Sequence, residues 1–443
     1  MISTLLLGAL LLKLAFQLFK TASDLWLTSH VFRFQQTTTI HKLFGKYGPV
    51  VRVSPDKVAF CDADTMRDSY SVQKCEKSSH YKLFTMLTLL DNASHSARRR
   101  VFGSHYTAAN VARLQPEIHN SALELVKSLE LTAAARPVDC LDLLRNFVVD
   151  IAVFSTFGHN LGALGKWTTN VPDDLSVAIA DFPKMGIVFV AKRIHEVQHQ
   201  IDTGKEFEIP PLVSRMLQYR QPSTNDALPF EVLVAEGVAH LVAGTETTST
   251  TLSYFLWEIS CSSDMMQRLQ KEIDTAMPDP RTIPDLSVQN LPYLNAFISE
   301  WFRVHGVITG LMERVVPATR NYNLMGYVLP PGTVVGTQSW SIQNSPRVFP
   351  SPNRFDPDRW LDGSESGSAE RAAHMMPFGL GTRVCTGQQL AQAVIRVALV
   401  ALVRNFDIRA DSSTTKASMR MRHGFAAFPT AGECKLIFFP RTE

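Results

Sequence analysis

The chain has 443 residues, 45% of them hydrophobic and 19% charged, with a formal net charge of +3. That composition excludes a mostly disordered chain, and so small a net charge excludes a protein that holds nucleic acid by bulk electrostatics. The six cysteines, Cys61, Cys75, Cys140, Cys261, Cys385 and Cys434, include no pair spaced for a zinc knuckle or a thioredoxin-type motif. Length alone would suggest two or three domains; only the motifs below argue for one.

Residues 1–19 are mostly apolar, just long enough for a spanning helix, which needs about 20 apolar residues. Lys13 near mid-span costs about 2.5–3.5 kcal/mol on insertion scales and can snorkel. The expectation is a membrane anchor. An in-plane or buried helix and a signal peptide, with a weak small-residue site near Ala22-Ser23, stay open as alternatives. A helical pattern follows at 22–34. Tyr47-Gly48-Pro49 opens a strand from Val50, Pro55-Asp56-Lys57 turns the chain, and Val58-Ala59-Phe60-Cys61 is the partner strand.

Residues 91–106 carry His95-Ser96-Ala97-Arg98-Arg99-Arg100 on a helical pattern. His95 and Arg99, four apart, share a face; taken alone, this is a solvated basic face. Residues 145–218 read as helices without a chemical motif. Pro222, Ser223, Asn225 and Asp226 mark a surface loop over 221–228.

Pro229 starts a helical pattern that runs to about Ser260, and proline suits a helix's first turn. Roughly 30 residues at about 1.5 Å each give roughly 45 Å, enough to cross a domain. Near its middle lies Ala243-Gly244-Thr245-Glu246-Thr247-Thr248. An acid in an apolar helix is costly unless it is used or paired; the plain alternative is a buried helix rich in small polar residues. Glu300-Trp301-Phe302-Arg303 sets an acid and a base three apart on one helix face. Leu329-Pro330-Pro331-Gly332-Thr333-Val334-Val335 is a turn and strand. Pro352-Asn353-Arg354-Phe355-Asp356-Pro357-Asp358-Arg359-Trp360 follows. Near the end, Phe425-Ala426-Ala427-Phe428 reads as a hairpin tip over a pocket or as plain core.

The densest stretch is Pro377-Phe378-Gly379-Leu380-Gly381-Thr382-Arg383-Val384-Cys385-Thr386-Gly387, followed at once by an apolar helical pattern. Its residue types suit the holding of a haem iron by a thiolate. Phe378 can cover the sulfur. Gly379 and Gly381 permit turns that a Cβ would block and that aim N–H groups at the sulfur. Arg383 can reach a propionate, and Gly387 lets the next helix come close, its N-terminal dipole favouring a thiolate at Cys385. The competing reading is a surface loop with a structural cysteine.

Phe378-x-x-Gly381-x-Arg383-x-Cys385-x-Gly387 resembles the cysteine-ligand signature of cytochrome P450 haem-thiolate monooxygenases, with every fixed position filled. The six residues from Ala243 resemble that family's oxygen-binding helix. The resemblance runs from about Lys42 to the end, with the motifs in order. It implies a mainly α fold with small β-sheets, and haem between the long helix and the Cys385 loop. It also implies a single catalytic domain over 20–443 behind the anchor, although no proline-rich hinge is visible.

By resemblance, Cys385 is the iron ligand, and Ala243 and Gly244 leave room for dioxygen. Thr247 and Glu246 deliver protons. His95, Arg99 and Arg314 join Arg383 on the propionates. Glu300, Arg303 and Arg354 form a buried ion group beneath the loop, while Val307, Ile308, Thr309 and Leu311 line the pocket. The implied activity inserts one oxygen atom from O2 into a hydrophobic small molecule, by hydroxylation or epoxidation. Electrons come from NADPH through a separate flavoprotein reductase, since this chain has no flavin or nicotinamide fingerprint. The implied place is the endoplasmic reticulum membrane, with the catalytic domain facing the cytosol; the motif style resembles fungal secondary-metabolite enzymes. Two alternatives are a donor-independent haem-thiolate isomerase or dehydratase, against which Glu246 and Thr247 argue, and a non-catalytic haem protein.

Overall fold

The computed structural model describes residues 25–84, 90–132, 136–169, 184–221, 224–279 and 286–441. The stretch 1–19, on which the anchor expectation falls, and Pro222 and Ser223 of the expected loop lie outside them. Among the described residues, no helix is long and apolar enough to cross a membrane.

The longer helices are α1 (Gln36–Tyr47), α2 (Asn92–Phe102), α3 (Gln115–Thr132), α4 (Cys140–Phe157), α5 (Lys184–Asp202), α6 (Phe230–Ser260), α7 (Ser263–Ala276), α8 (Pro292–His305) and α9 (Gln388–Asn405). Local chemistry sets several of their starts. The Asp91, Asp139 and Ser262 side chains accept from the first free N–H groups of α2, α4 and α7, and α8 begins on Pro292.

Helix α6 is the axis of the molecule. It starts directly after Pro229 and runs 31 residues, as the sequence pattern predicts. Helix α4 packs along it. Helix α5 crosses it so closely that a Cβ on Gly237 would come 2.7 Å from Val190 Cγ1. The largest apolar cluster joins α3, α4, α6, α8 and α9, with Phe147, Phe255, Phe297, Trp301 and Leu399 fully buried. Phe255 stacks on Trp301 at 4.6 Å.

The strands are β1 (Val50–Ser54), β2 (Lys57–Phe60), β3 (Glu76–Lys77), β4 (Val138–Asp139), β5 (Met312–Val315), β6 (Tyr322–Leu324), β7 (Tyr327–Leu329), β8 (Val334–Thr337), β9 (Phe406–Ala410), β10 (Met421–His423), β11 (Ala427–Pro429) and β12 (Lys435–Pro440). They form a five-stranded sheet in the order β1-β2-β8-β5-β3, a three-stranded sheet β4-β12-β9, and the pairs β6-β7 and β10-β11. The β1–β2 hairpin is antiparallel, as its turn residues predict, while β2 and β8 run parallel. In the last pair, the expected tip at Phe425 falls between β10 and β11, but Ala427 and Phe428 already belong to β11. The architecture is mainly α with small sheets.

Candidate cysteine-centred active site

The loop before α9 is folded by its glycines. Gly379 and Gly381 have φ of +76° and +71°, the left-handed region that other residues avoid. At Gly381 a Cβ would also lie 2.1 Å from the Tyr70 carbonyl oxygen, so only glycine fits there. The turns close through Cys385 N donating to Phe378 O at 2.8 Å and Gly379 N to Met376 O at 3.0 Å. The Phe378 ring meets Phe302 of α8 edge-on at 5.1 Å. Water can reach Cys385, yet burial is the largest influence on its thiol and pushes it up. Opposing burial are the Gly387 N–H and the Arg99 guanidinium, both of which favour the thiolate.

Arg99 does more than its sequence position implies. Its Nη1 donates to Thr382 O at 3.1 Å and Val384 O at 2.8 Å, so α2 grips the cysteine loop directly. Arg383 Nη2 reaches the other way, to Leu90 O at 2.8 Å, Asp91 O at 3.0 Å and Asn92 Oδ1 at 3.2 Å. His95 stands among Arg383, Arg99, Lys77 and Arg314. Burial and, after it, these four charges hold its imidazole down to about 4.

Lys77 is a member of this group that motif reading missed. It lies on the two-residue strand β3, directly opposite Arg314 on β5. Burial, Arg314 and Arg383 lower its amine to about 8. Arg383 is lowered to about 10, first by burial and then by Arg314. Two tyrosine faces support the cluster: Arg314 lies over Tyr70 and Lys77 over Tyr81, each 4.5 Å from the ring centre.

On α6, Thr247 Oγ1 donates to Ala243 O at 2.7 Å, and the helix continues through this point without a break. Glu246 is paired. Arg145 of α4 donates from Nε to Oε1 at 3.0 Å and from Nη2 to Oε2 at 3.0 Å. A Cβ on Gly244 would meet only Ala152 Cβ, at 3.9 Å.

Beneath the loop, Glu300 and Arg303 are fully buried, as expected, but the third member is a correction. Arg359 Nε donates to Glu300 Oε1 at 3.0 Å, whereas the Arg354 side chain is 74% exposed beside Asp356. Arg354 contributes only its carbonyl oxygen, which accepts from Arg303 Nη2 at 3.1 Å. The short turn Pro357–Trp360 decides this, because it carries Arg359 and Trp360 inward together. Glu300 also accepts from Trp360 Nε1 at 3.0 Å and Asp356 N at 2.9 Å. The group reaches the cysteine loop through one residue, Gln343: Arg303 Nη1 donates to its backbone O, and its side-chain Oε1 accepts from Met376 N, both at 3.2 Å.

The expected pocket residues beside β5 are mostly buried. Thr309 Oγ1 bonds with His423 Nδ1 at 2.9 Å. Leu311 fills the space over Gly336, where a Cβ would come within 2.9 Å of its Cγ. Val307 is buried too, and Ile308 is half-buried.

These residues fit a thiolate-ligated haem. A desolvated thiol lies near Arg99 of α2, and around His95 cations from β3, α2, β5 and the cysteine loop crowd together; that crowding of positive charge is what a dianionic edge would relieve. At Gly387, a Cβ would meet no protein atom within 4 Å, so packing within the protein does not require that glycine.

Similar proteins agree. The chain is 28% identical to the cytochrome P450 monooxygenase orf2 of Aspergillus niger, over 90% of this chain and 85% of that one. It is 28% identical to the cytochrome P450 monooxygenase gsfF of Penicillium aethiopicum, over 87% and 86%. It is 26% identical to the N-acetyltryptophan 6-hydroxylase ivoC of Emericella nidulans, over 89% and 84%. A family model described as Cytochrome P450 matches residues 167–436, more than half of the chain and all of the stretch from α6 to the cysteine loop; the chain belongs to the cytochrome P450 family.

Proposed function

We propose that Cys385 is the iron ligand of a haem-thiolate monooxygenase that adds one oxygen atom to a hydrophobic small molecule of fungal secondary metabolism. The observation that carries this is the convergence of Lys77, His95, Arg99, Arg314 and Arg383 on the loop of one desolvated cysteine. When bound, a thiolate-ligated haem supplies dioxygen activation, with electrons drawn from NADPH through a separate reductase.

The chain's own residues do the rest. With iron bound, the Gly387 N–H and the start of α9 would support the sulfur as an anion, with Phe378 packed beside the loop. Lys77, Arg314 and Arg383 would supply the positive charge that holds the two propionates and His95 a hydrogen bond to them, while Arg99 fixes the loop. Ala243 and Gly244 keep side chains out of the reaction space. Thr247 Oγ1 turns from the Ala243 carbonyl to donate a hydrogen bond inward. Glu246 collects protons from the solvent side when it exchanges Arg145 for water. Glu300, Arg303 and Arg359 stiffen the floor. Residues 1–19 serve as a membrane anchor, a reading supported by their apolar composition. It would place the catalytic domain on the cytosolic face of the endoplasmic reticulum, where a reductase can reach it.

The test is spectral and then chemical. Reduced protein exposed to carbon monoxide should show the red-shifted band of a thiolate ligand, and Cys385→Ser should lose it. With NADPH, reductase and a panel of polyketides, terpenoids and alkaloids under labelled dioxygen, one labelled atom should enter the product. A normal band and full turnover in Cys385→Ala would overturn the reading.

A further inference from the structure

One buried cluster of titratable side chains beside the site has no part in the scheme above. Tyr106 OH lies 2.9 Å from His240 Nδ1. Their rings are 16° from parallel, with centroids 5.6 Å apart. His240 Nε2 is buried and makes no hydrogen bond. It faces Glu236 Oε2 at 3.9 Å, too long for a hydrogen bond and within ion-pair reach. The other oxygen of Glu236 is held by Arg98 Nη1 at 2.6 Å. The His240 and Glu236 side chains are only 10% and 8% exposed.

Their position links them to the site. Glu236, His240 and Gly244 are spaced by four on α6 and share one stripe of it. Tyr106 follows α2, whose Arg99 grips the cysteine loop. A thiolate at Cys385 is close enough to push the Tyr106 phenol up, second only to burial.

A phenol gives up an electron readily only when its proton can leave in the same step. Here the acceptor is already in place. Burial holds His240 down to about 4, so the ring is neutral at physiological pH; with its proton on Nε2, the side that faces the Glu236 carboxylate, the Nδ1 lone pair faces the phenol. The Nε2 proton then points to Glu236, whose charge would stabilise the ring once it takes up a second proton.

We infer that Tyr106 is a redox-active residue that discharges the haem site when an oxidising equivalent finds no substrate. In this step Tyr106 gives one electron to the over-oxidised cofactor and its phenolic proton to His240 Nδ1. One O–H bond breaks and one N–H bond forms. The cofactor is reduced by one electron, Tyr106 becomes a neutral radical, and nothing else leaves. An electron from the reductase and the proton returned by His240 restore the phenol. The ring next to His240 on its other side is Phe102, at 5.0 Å, which lacks a dissociable proton and is hard to oxidise. The radical is therefore expected to stay on Tyr106. The inference rests on the haem reading above.

The experiment uses full-length haem-loaded protein whose carbon-monoxide spectrum has first been recorded. Hydrogen peroxide is added without substrate, and samples are freeze-quenched for electron paramagnetic resonance. A tyrosyl signal is expected in the wild type. It should be lost in Tyr106→Phe and weakened in His240→Leu, and both variants should bleach their haem faster. Independently, a nitroso spin trap on wild-type protein, followed by peptide mapping, should mark Tyr106. A normal thiolate spectrum with no tyrosyl signal, an undiminished signal in Tyr106→Phe, or a trap adduct on another residue would overturn this inference alone. Absence of the thiolate spectrum would overturn both it and the haem reading.

Discussion

Glu246 and Arg145 face each other across the contact between α6 and α4 in a two-point ion pair, with both short N–O distances at 3.0 Å. The acid singled out for proton delivery is thus held by a partner and is not idle in an apolar helix. The side chains are 35% and 39% exposed, so the pair adds little to stability, about 0.2–1 kcal/mol. Glu246→Gln should therefore melt close to the wild type while its coupled turnover falls about 10²-fold, the lower end for a lost acid–base group. Arg145→Met should keep most of that turnover. Product formed per NADPH consumed, measured beside thermal unfolding, checks both; a Glu246→Gln enzyme with wild-type coupling would remove the residue from the mechanism.

Thr247 presents a different signature. Its hydroxyl is bonded to the Ala243 carbonyl, a bond worth about 0.5–1.5 kcal/mol net. In Thr247→Ala, NADPH consumption should persist while product falls and hydrogen peroxide rises. Peroxide assayed against product decides the matter, since a purely structural threonine would leave their ratio unchanged.

The buried ion group separates two arginines that sit five residues apart. Arg359→Met removes one of the charges facing Glu300, which is fully buried. Breaking such a group costs about 3–5 kcal/mol, and haem retention should suffer because the floor of the loop loosens. Arg354→Met removes an exposed side chain and should stay within about 0.5 kcal/mol of the wild type. Paired denaturation curves that reversed this order would refute the geometry.

His95 gives the haem-free protein a pH dependence. The unfolded chain takes up its proton near 6.5, while the folded chain resists until about 4. Between those values the unfolded state binds more protons, so stability rises with pH and is lost as pH falls through the window. His95→Gln should flatten that slope, and an anion bound at the cluster should raise the imidazole and narrow the window. Urea unfolding of both proteins across this range is the measurement; equal slopes would contradict the charge crowding.

Much of this was legible because it is local. The cysteine loop sits within eleven consecutive residues, and the bounds of α6 follow from Pro229 and an unbroken apolar pattern. The β1–β2 hairpin is written in its turn residues. What escaped depends on distant neighbours. Arg145 lies 101 residues from Glu246, and nothing near it marks its role. Lys77 acts from a strand of two residues, too short for any periodicity, and its meaning comes from Arg314 across the ladder. The choice of Arg359 over Arg354 rests on a single turn that rotates one side chain inward. The surroundings of Thr309 and Leu311 depend on His423 and Gly336, far away in sequence.

The pairing of β12 with β4 has a kinetic consequence. The Cys434 N–H at the mouth of β12 bonds the Asp139 carboxylate across a separation of 295 residues, so this small sheet closes only after a very long loop has been gathered in. Contacts of that span slow folding. Helix α9 runs straight into β9, the third strand of the same sheet. Helix α9, which follows the proposed iron ligand Cys385, is thus anchored at its far end in a sheet that is complete only once β4, from far upstream in the chain, has docked on β12.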